Sequence, residues 1–176
     1  MEDPITVRIA RRYEYAEAGA VTARAYEEFV PKEHGDWPTY LGRIADVARR
    51  AVRTTVLVAL DGDKVAGSAT LELDGRVSEE SERPLADDEA HLRMLGVHPD
   101  YRRRGIARRL VEACVELARS KGKRRLTLDT GPQMRAARAM YEAMGFHQSG
   151  VRELDNGFRL YSYELLLDQP AALDTR

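Results

Sequence analysis

Apolar residues recur along this chain with two periods, and the switches between them predict its elements. Ile5 to Ala10 alternates as a first strand. Two helical stretches follow on the stripes Val21, Ala25, Phe29 and Leu41, Ile44, Ala48, separated by a break that contains Pro31, Gly35 and Pro38. The run Thr55 to Leu60, the turn dipeptide Asp61-Gly62 and the run Lys64 to Leu73 predict a hairpin. Asp74 to Asp88 reads as a long acidic loop, and Ala90 to Val97 as a strand. Ile106, Leu110, Cys114 and Leu117 set a helix from Gly105 to Lys121, with Gly122 as its stop. After a strand at Arg125 to Thr130, Pro132 suits the start of a helix whose stripe is Ala137, Met140, Tyr141 and Met144 and whose end is Gly145. Phe146 to Arg152 and Phe158 to Leu167 close the chain as two strands.

A strand-helix-strand centre with an antiparallel-looking pair at each end predicts an α/β domain of the mixed-sheet α+β kind, a central mixed sheet flanked by helices. Its 176 residues, 43% of them apolar, suit one domain over residues 1–168, leaving 169–176 as a frayed tail. No apolar run reaches the ~20 residues that span a bilayer, and Met1-Glu2-Asp3-Pro4 lacks the regions of a signal peptide, so the expected setting is the cytoplasm. One cysteine, Cys114, excludes internal disulfides and cysteine-rich metal sites, and no metal is expected. A net charge of -1 gives no reason to expect nucleic acid or a membrane as partner. The charges are unevenly spread: Glu79, Glu80, Glu82, Asp87, Asp88 and Glu89 crowd one stretch, whereas arginine and lysine dominate Arg102 to Arg125.

The chemistry is concentrated where the strand ending at Val97 meets the helix opening at Gly105. The first amides of a helix lack internal partners and lie at the positive end of its dipole, so an anion placed there gathers several hydrogen bonds. Gly105 and Ala107 keep bulk away, and Arg102, Arg103 and Arg104 add charge suited to a pyrophosphate. A Walker loop would need Gly-Lys-Ser/Thr, and a dinucleotide loop three spaced glycines; neither is present.

Arg102-Arg103-Arg104-Gly105-Ile106-Ala107 resembles the GNAT acetyltransferase pattern of Gln or Arg, two residues, Gly, one residue, then Gly or Ala. Leu95-Gly96-Val97-His98-Pro99 matches the strand before it, and Ala137, Met140, Tyr141, Glu142, Gly145 and Phe146 match the family's later block in order. The resemblance implies acetyl-CoA as cosubstrate and an N-acetyltransferase that acts on a primary amine of a small molecule or peptide, with a homodimer as one assembly the family allows. It also implies that the amides from Arg102 to Arg108 hold the pyrophosphate, that the backbone of Leu95, Gly96 and Val97 runs beside the pantetheine arm, and that Tyr141 protonates the departing sulfur.

Two departures stand out. Met134 occupies the place where many relatives carry Asn, and His91 the place where many carry a Glu at or near the general base. His91, Glu72 and Glu89 are therefore the candidate bases; regular alternation would put Glu89, His91, Arg93, Leu95 and Val97 on one face of the strand. The acidic stretch could gather a cationic amine. A sensor that binds coenzyme A without turnover, and an enzyme using another acyl thioester, are the alternative readings.

Overall fold

The computed structural model describes residues 4–29, 36–75, 77, 83–153 and 157–167. Its elements run β1 (Ile5–Ile9), α1 (Tyr15–Tyr26), α2 (Trp37–Ala45), α3 (Val47–Arg50), β2 (Thr55–Asp61), β3 (Lys64–Glu72), β4 (Glu89–Val97), α4 (Ile106–Ser120), β5 (Arg125–Thr130), α5 (Arg135–Ala143), β6 (His147–Glu153) and β7 (Arg159–Leu166). The strand order is β1-β2-β3-β4-β5-β7-β6. The pairs β1–β2, β2–β3, β5–β7 and β6–β7 are antiparallel, while β4 and β5 are joined through α4, the kind of connection that parallel neighbours need. A mixed sheet with helices is the class the sequence pattern predicted.

The chain forms two compact units, Met1–Glu72 with Leu92–Cys114, and Leu73–His91 with Val115–Arg176. In the first, β2 and β3 are buried along nearly their whole length, which is why Val56-Leu57-Val58-Ala59-Leu60 is an unbroken apolar run rather than an alternating one. Val56, Val58, Leu60 and Val65 pack with Ala18 and Val21 of α1 and with Val47 of α3. Glycines set the closest approaches. A Cβ on Gly19 would lie 1.9 Å from the Ala45 carbonyl oxygen, and one on Gly96 would lie 3.0 Å from the Ala25 Cβ, so α1 rests directly on both α2 and β4. In the second unit β5 alternates cleanly, burying Leu126, Leu128 and Thr130, and the fully buried Tyr163 of β7 pairs opposite Leu128.

Several boundaries differ from the pattern. The second helical stretch is divided: α2 ends at Ala45, and the Asp46 carboxylate accepts from the Arg49 amide at 3.1 Å to cap α3. Burial consequently falls on Ile44 and Val47, while Ala48 is exposed. Pro38 sits in the first turn of α2 rather than in the break, where its missing N–H costs nothing. Pro132 precedes α5 by a turn instead of opening it. Pro31, Gly35, Glu79, Glu80, Glu82 and the tail 169–176 lie outside the described residues. Among those described, no helix is long and apolar enough to cross a membrane.

Gly19→Ala should lower stability by about 3 kcal/mol, because its new methyl meets backbone rather than a movable side chain. Urea unfolding of the two proteins checks this, and equal midpoints would contradict the α1–α2 contact.

Candidate active site

Strand β4 does not run regularly to its end. Met94 has φ 52, a left-handed value that is costly for a residue with a Cβ, and it interrupts the alternation of side chains. The single face predicted from Glu89 through Val97 therefore does not continue past Met94. Leu95 and Val97 are half-buried and Gly96 is buried. Beyond the strand, the His98 amide donates to the Ala66 carbonyl at 2.8 Å, and a 3-10 turn over Pro99–Tyr101 reverses the chain.

Two further left-handed residues, Arg103 with φ 64 and Gly105 with φ 70, then shape the loop into α4. Such residues turn successive amides toward one side, which makes a concavity for an anion. Arg109 closes the first helical turn on the Gly105 carbonyl at 3.1 Å. Among the described residues, the amides of Arg103, Gly105, Ile106, Ala107 and Arg108 donate to no protein acceptor. A Cβ on Gly105 would meet nothing within 4 Å, so the loop is open there. Ile106 and Leu110 are buried, and both lie against the space a Cβ on Gly67 would take, so the helix start is anchored on β3.

The arginines contribute less than their number suggests. Arg102 pairs with Glu28, Arg104 with Asp61 at 3.2 Å, and Arg108 with Glu112 at 3.0 Å. Arg104 also lies over the Tyr101 ring. Arg103 is exposed and has no carboxylate partner among the described residues. Anion-binding capacity here rests mainly on main-chain N–H groups.

The three candidate bases have different surroundings. Glu72, at the end of β3, is fully buried, and its Oε1 accepts from Arg53 at 3.2 Å and from Arg93 at 3.1 Å. Burial pushes its carboxyl above the ordinary range, against the pull of the two guanidinium groups. Glu89 is also fully buried, but it is surrounded by donors. Arg83 holds both its oxygens at 3.0 and 2.8 Å, the Thr127 hydroxyl donates at 2.5 Å, and the Ala86 amide at 3.3 Å. Burial alone would raise its pKa, yet these bonds outweigh it and hold the group down to about 2. A carboxylate so stabilised is a poor proton acceptor at neutral pH.

His91 is buried, and its Nδ1 lies 2.8 Å from the Thr127 hydroxyl oxygen. The directions of these bonds assign the tautomer. Ionised Glu89 can only accept, so the one hydroxyl hydrogen of Thr127 goes to it; the Thr127 lone pair then receives Nδ1–H of His91. Neutral His91 consequently carries its lone pair on Nε2. Thr127 was not singled out from the sequence, although Arg125, Thr127 and Asp129 form a polar file between Leu126 and Leu128 that marks one face of β5. On that face the Asp129 carboxylate accepts from Ser162 at 2.6 Å and from Arg152 at 3.1 Å.

Tyr141 lies on α5, buried, with its ring 5.5 Å from that of Phe146 and 6.3 Å from that of Tyr163. Tyr163 in turn donates to Glu142 at 2.8 Å. Met134, where many relatives carry Asn, accepts weakly on sulfur from the Thr130 hydroxyl at 3.6 Å. Cys114 is buried and its thiol is pushed up to about 12, which removes it as a nucleophile.

Glu89 supplies a pH-dependent contribution to stability. Its folded pKa, about 2, lies below the ordinary 4.5, so the contribution is complete above pH 4.5 and disappears as pH falls toward 2. Glu89→Gln should cost on the order of 3 kcal/mol at pH 7. Its deficit against wild type in urea melts should narrow below pH 4.5; a constant deficit would show that the charge is not what stabilises.

The acetyltransferase (GNAT) family profile matches residues 22–146, well over half of the chain. The chain is 37% identical over 65 residues to the [ribosomal protein bS18]-alanine N-acetyltransferase of Escherichia coli K12, a stretch covering 37% of this chain and 44% of that protein. It is 38% identical over 66 residues to human N-acetyltransferase 8, covering 38% of this chain and 29% of the relative. The match thus spans less than half the length of these curated relatives. Among solved structures, the E. coli ribosomal-protein-S18-alanine N-acetyltransferase superposes with TM-score 0.69 at 20% identity, covering 97% of this chain and 98% of that one. The Salmonella typhimurium protein yncA, solved with its cofactor acetyl-CoA, gives 0.67 at 20% identity, covering 99% and 100%. A family match of this extent, falling on a loop of unpartnered amides between strand and helix, shows that the chain belongs to the GNAT acetyltransferase family.

Proposed function

We propose that this protein transfers the acetyl group of acetyl-CoA to a primary amine of a small molecule or peptide, by direct attack of the amine on the thioester. The observation that carries the reading is the turn into α4, where the amides of Arg103, Gly105, Ile106, Ala107 and Arg108 have no acceptor among the described residues. In this reading those amides hold the pyrophosphate, and the backbone of Leu95, Gly96 and Val97 lies along the pantetheine arm. In the same reading the amide of Leu95, directly after the left-handed Met94, polarises the thioester carbonyl. The setting is cytoplasmic and no metal takes part.

Attack needs a neutral amine. At pH 7 deprotonation costs a lysine-like amine about 4.6 kcal/mol and an α-amine about 1 kcal/mol. We assign the proton to His91 Nε2, directly or through water, with Thr127 and Glu89 fixing the tautomer as positioning residues. An α-amine, the cheaper of the two to deprotonate, suits an imidazole base better than a lysine does. The name of the E. coli relative, an alanine N-acetyltransferase, agrees with that preference. Tyr141 serves the departing sulfur. Full proton transfer from a phenol of pKa about 10 to a thiolate of about 8.5 is uphill by roughly 2 kcal/mol, so the tyrosine acts through a hydrogen bond that strengthens as charge develops.

Three outcomes test this. Gly105→Val puts a side chain into the open loop at φ 70, and should weaken coenzyme A binding about tenfold or more in calorimetry while moving the melting point only a few degrees. Tyr141→Phe should lower kcat about 10²-fold or more, measured by thiol release, with acetyl-CoA affinity held within about twofold. His91→Gln should abolish the acidic limb of the kcat/KM profile, and Thr127→Val should shift that limb without removing it. Failure of the purified protein to bind coenzyme A at low ionic strength would end the whole reading, and tight binding with no thiol release in the presence of any amine would leave a sensor.

A further inference from the structure

A second group of charges lies within the first unit, on residues other than those of the loop from Arg102 to Arg108. Arg50, at the end of α3, is buried; its Nε donates to the Thr70 hydroxyl at 3.1 Å and its Nη1 to the Arg43 carbonyl at 3.1 Å. Its Nη2 has no partner, and no carboxylate pairs with Arg50 among the described residues. Arg50 and Arg93 bond Thr70 and Glu72, two residues apart on one face of β3, so the two guanidinium groups are neighbours; burial and then the like charge of Arg93 lower the Arg50 pKa to about 10, and Asp46 opposes. Arg93 shares Glu72 Oε1 with Arg53, at 3.1 and 3.2 Å, while the other oxygen of Glu72 is buried and unpartnered.

A buried guanidinium lacking a counter-ion is costly, and so is a second one beside it. Glu72 uses a single oxygen for two arginines, and the exposed Asp46 acts on Arg50 without forming an ion pair with it, so neither carboxylate neutralises Arg50. What such a cluster lacks is negative charge with at least two acceptor atoms, which a carboxylate or phosphate supplies. The cluster is not sealed: the Arg93 and Arg53 side chains are 20% and 33% exposed. Arg93 also directly precedes Met94, where β4 departs from regular geometry, and Leu95 is two residues, about 7 Å, further along the strand.

We infer that Arg50 and Arg93 form a seat for an oxyanion borne by the acceptor, so that the amine acetylated belongs to a small molecule carrying a carboxylate or phosphate a few bonds away. The inference rests on the reading of β4 beside Leu95 as the place where the thioester is presented. It narrows the acceptor class to amino-acid-like or phosphorylated amines, and it assigns Glu72 to holding Arg93 in place.

The test compares matched acceptors by thiol release: alanine against alaninamide, and phosphoethanolamine against ethanolamine. Wild type should favour one anionic member over its neutral partner at least tenfold in kcat/KM, and whichever pair shows the ratio identifies carboxylate or phosphate. Arg50→Met and Arg50→Lys should bring that ratio toward one, and Arg93→Lys serves if neither folds, with retained coenzyme A binding as the control for folding. In parallel, succinate and inorganic phosphate should raise the melting temperature of wild type without coenzyme A, and should raise it less in the variant. Equal rates within both pairs, or a ratio unmoved by the substitutions, would overturn the seat. Absence of transfer to every amine together with a succinate or phosphate shift lost in the variant would overturn the acetyltransferase reading and keep the anion site.

Discussion

Main-chain amides without partners, held still at the start of α4, are the constraint on which the first unit is organised. An amide can grip a diphosphate well only if it does not have to be ordered at the moment of binding. Here the order comes from packing. Ile106 and Leu110 are buried against the glycine position at residue 67, the His98 amide ties the loop to β3, and the two left-handed residues at 103 and 105 set the direction of the N–H groups. The glycines at 67 and 96 matter for what they omit, since side chains there would push α4 or α1 away from the strands.

Buried charge is handled in two contrasting ways. Around Glu89 every need is met: Arg83, Thr127 and the Ala86 amide satisfy a carboxylate that remains ionised, and its charge then dictates which nitrogen of His91 bears the proton. The result is a fixed chain of three side chains, which stabilises and positions at once. Around Arg50 the needs are not met, since a guanidinium nitrogen and a carboxylate oxygen of Glu72 both lack partners. Satisfied clusters hold a fold together, whereas unsatisfied ones are where a ligand gains most. The same distinction separates Arg102, Arg104 and Arg108, tied to carboxylates of their own chain, from the amides beside them, which are not.

Much of this was present in the order of residues. Apolar periodicity located the strands β1 to β7 and the long helix α4 because burial imposes period two or 3.6 wherever one face meets a core. The loop motif and the Tyr141 block were legible as well, since glycine and unpartnered amides at a strand-to-helix junction have local causes. Boundaries were less so. Asp46 ended one helix and capped the next through a bond to Arg49, a choice between continuing and capping that composition leaves open. The three candidate bases looked alike in the sequence as titratable groups of β3 and β4, yet they differ sharply in their surroundings. Partners from Arg83 and Thr127 for Glu89, and from Arg53 and Arg93 for Glu72, come from positions up to 38 residues away.

The amino-acid sequence by itself determined the elements, the mixed-sheet class, the family motif and the chemical types available at each position, because these follow from local periodicity and from groups that are near neighbours along the chain. Tertiary structure alone decided which charges are neutralised, which tautomer His91 adopts, that β4 turns left-handed at Met94, and that Arg50 is buried with no ion-pair partner among the described residues. Proton affinity and hydrogen-bond direction depend on what stands within about 3 Å in space, and that neighbourhood is assembled only when distant segments pack.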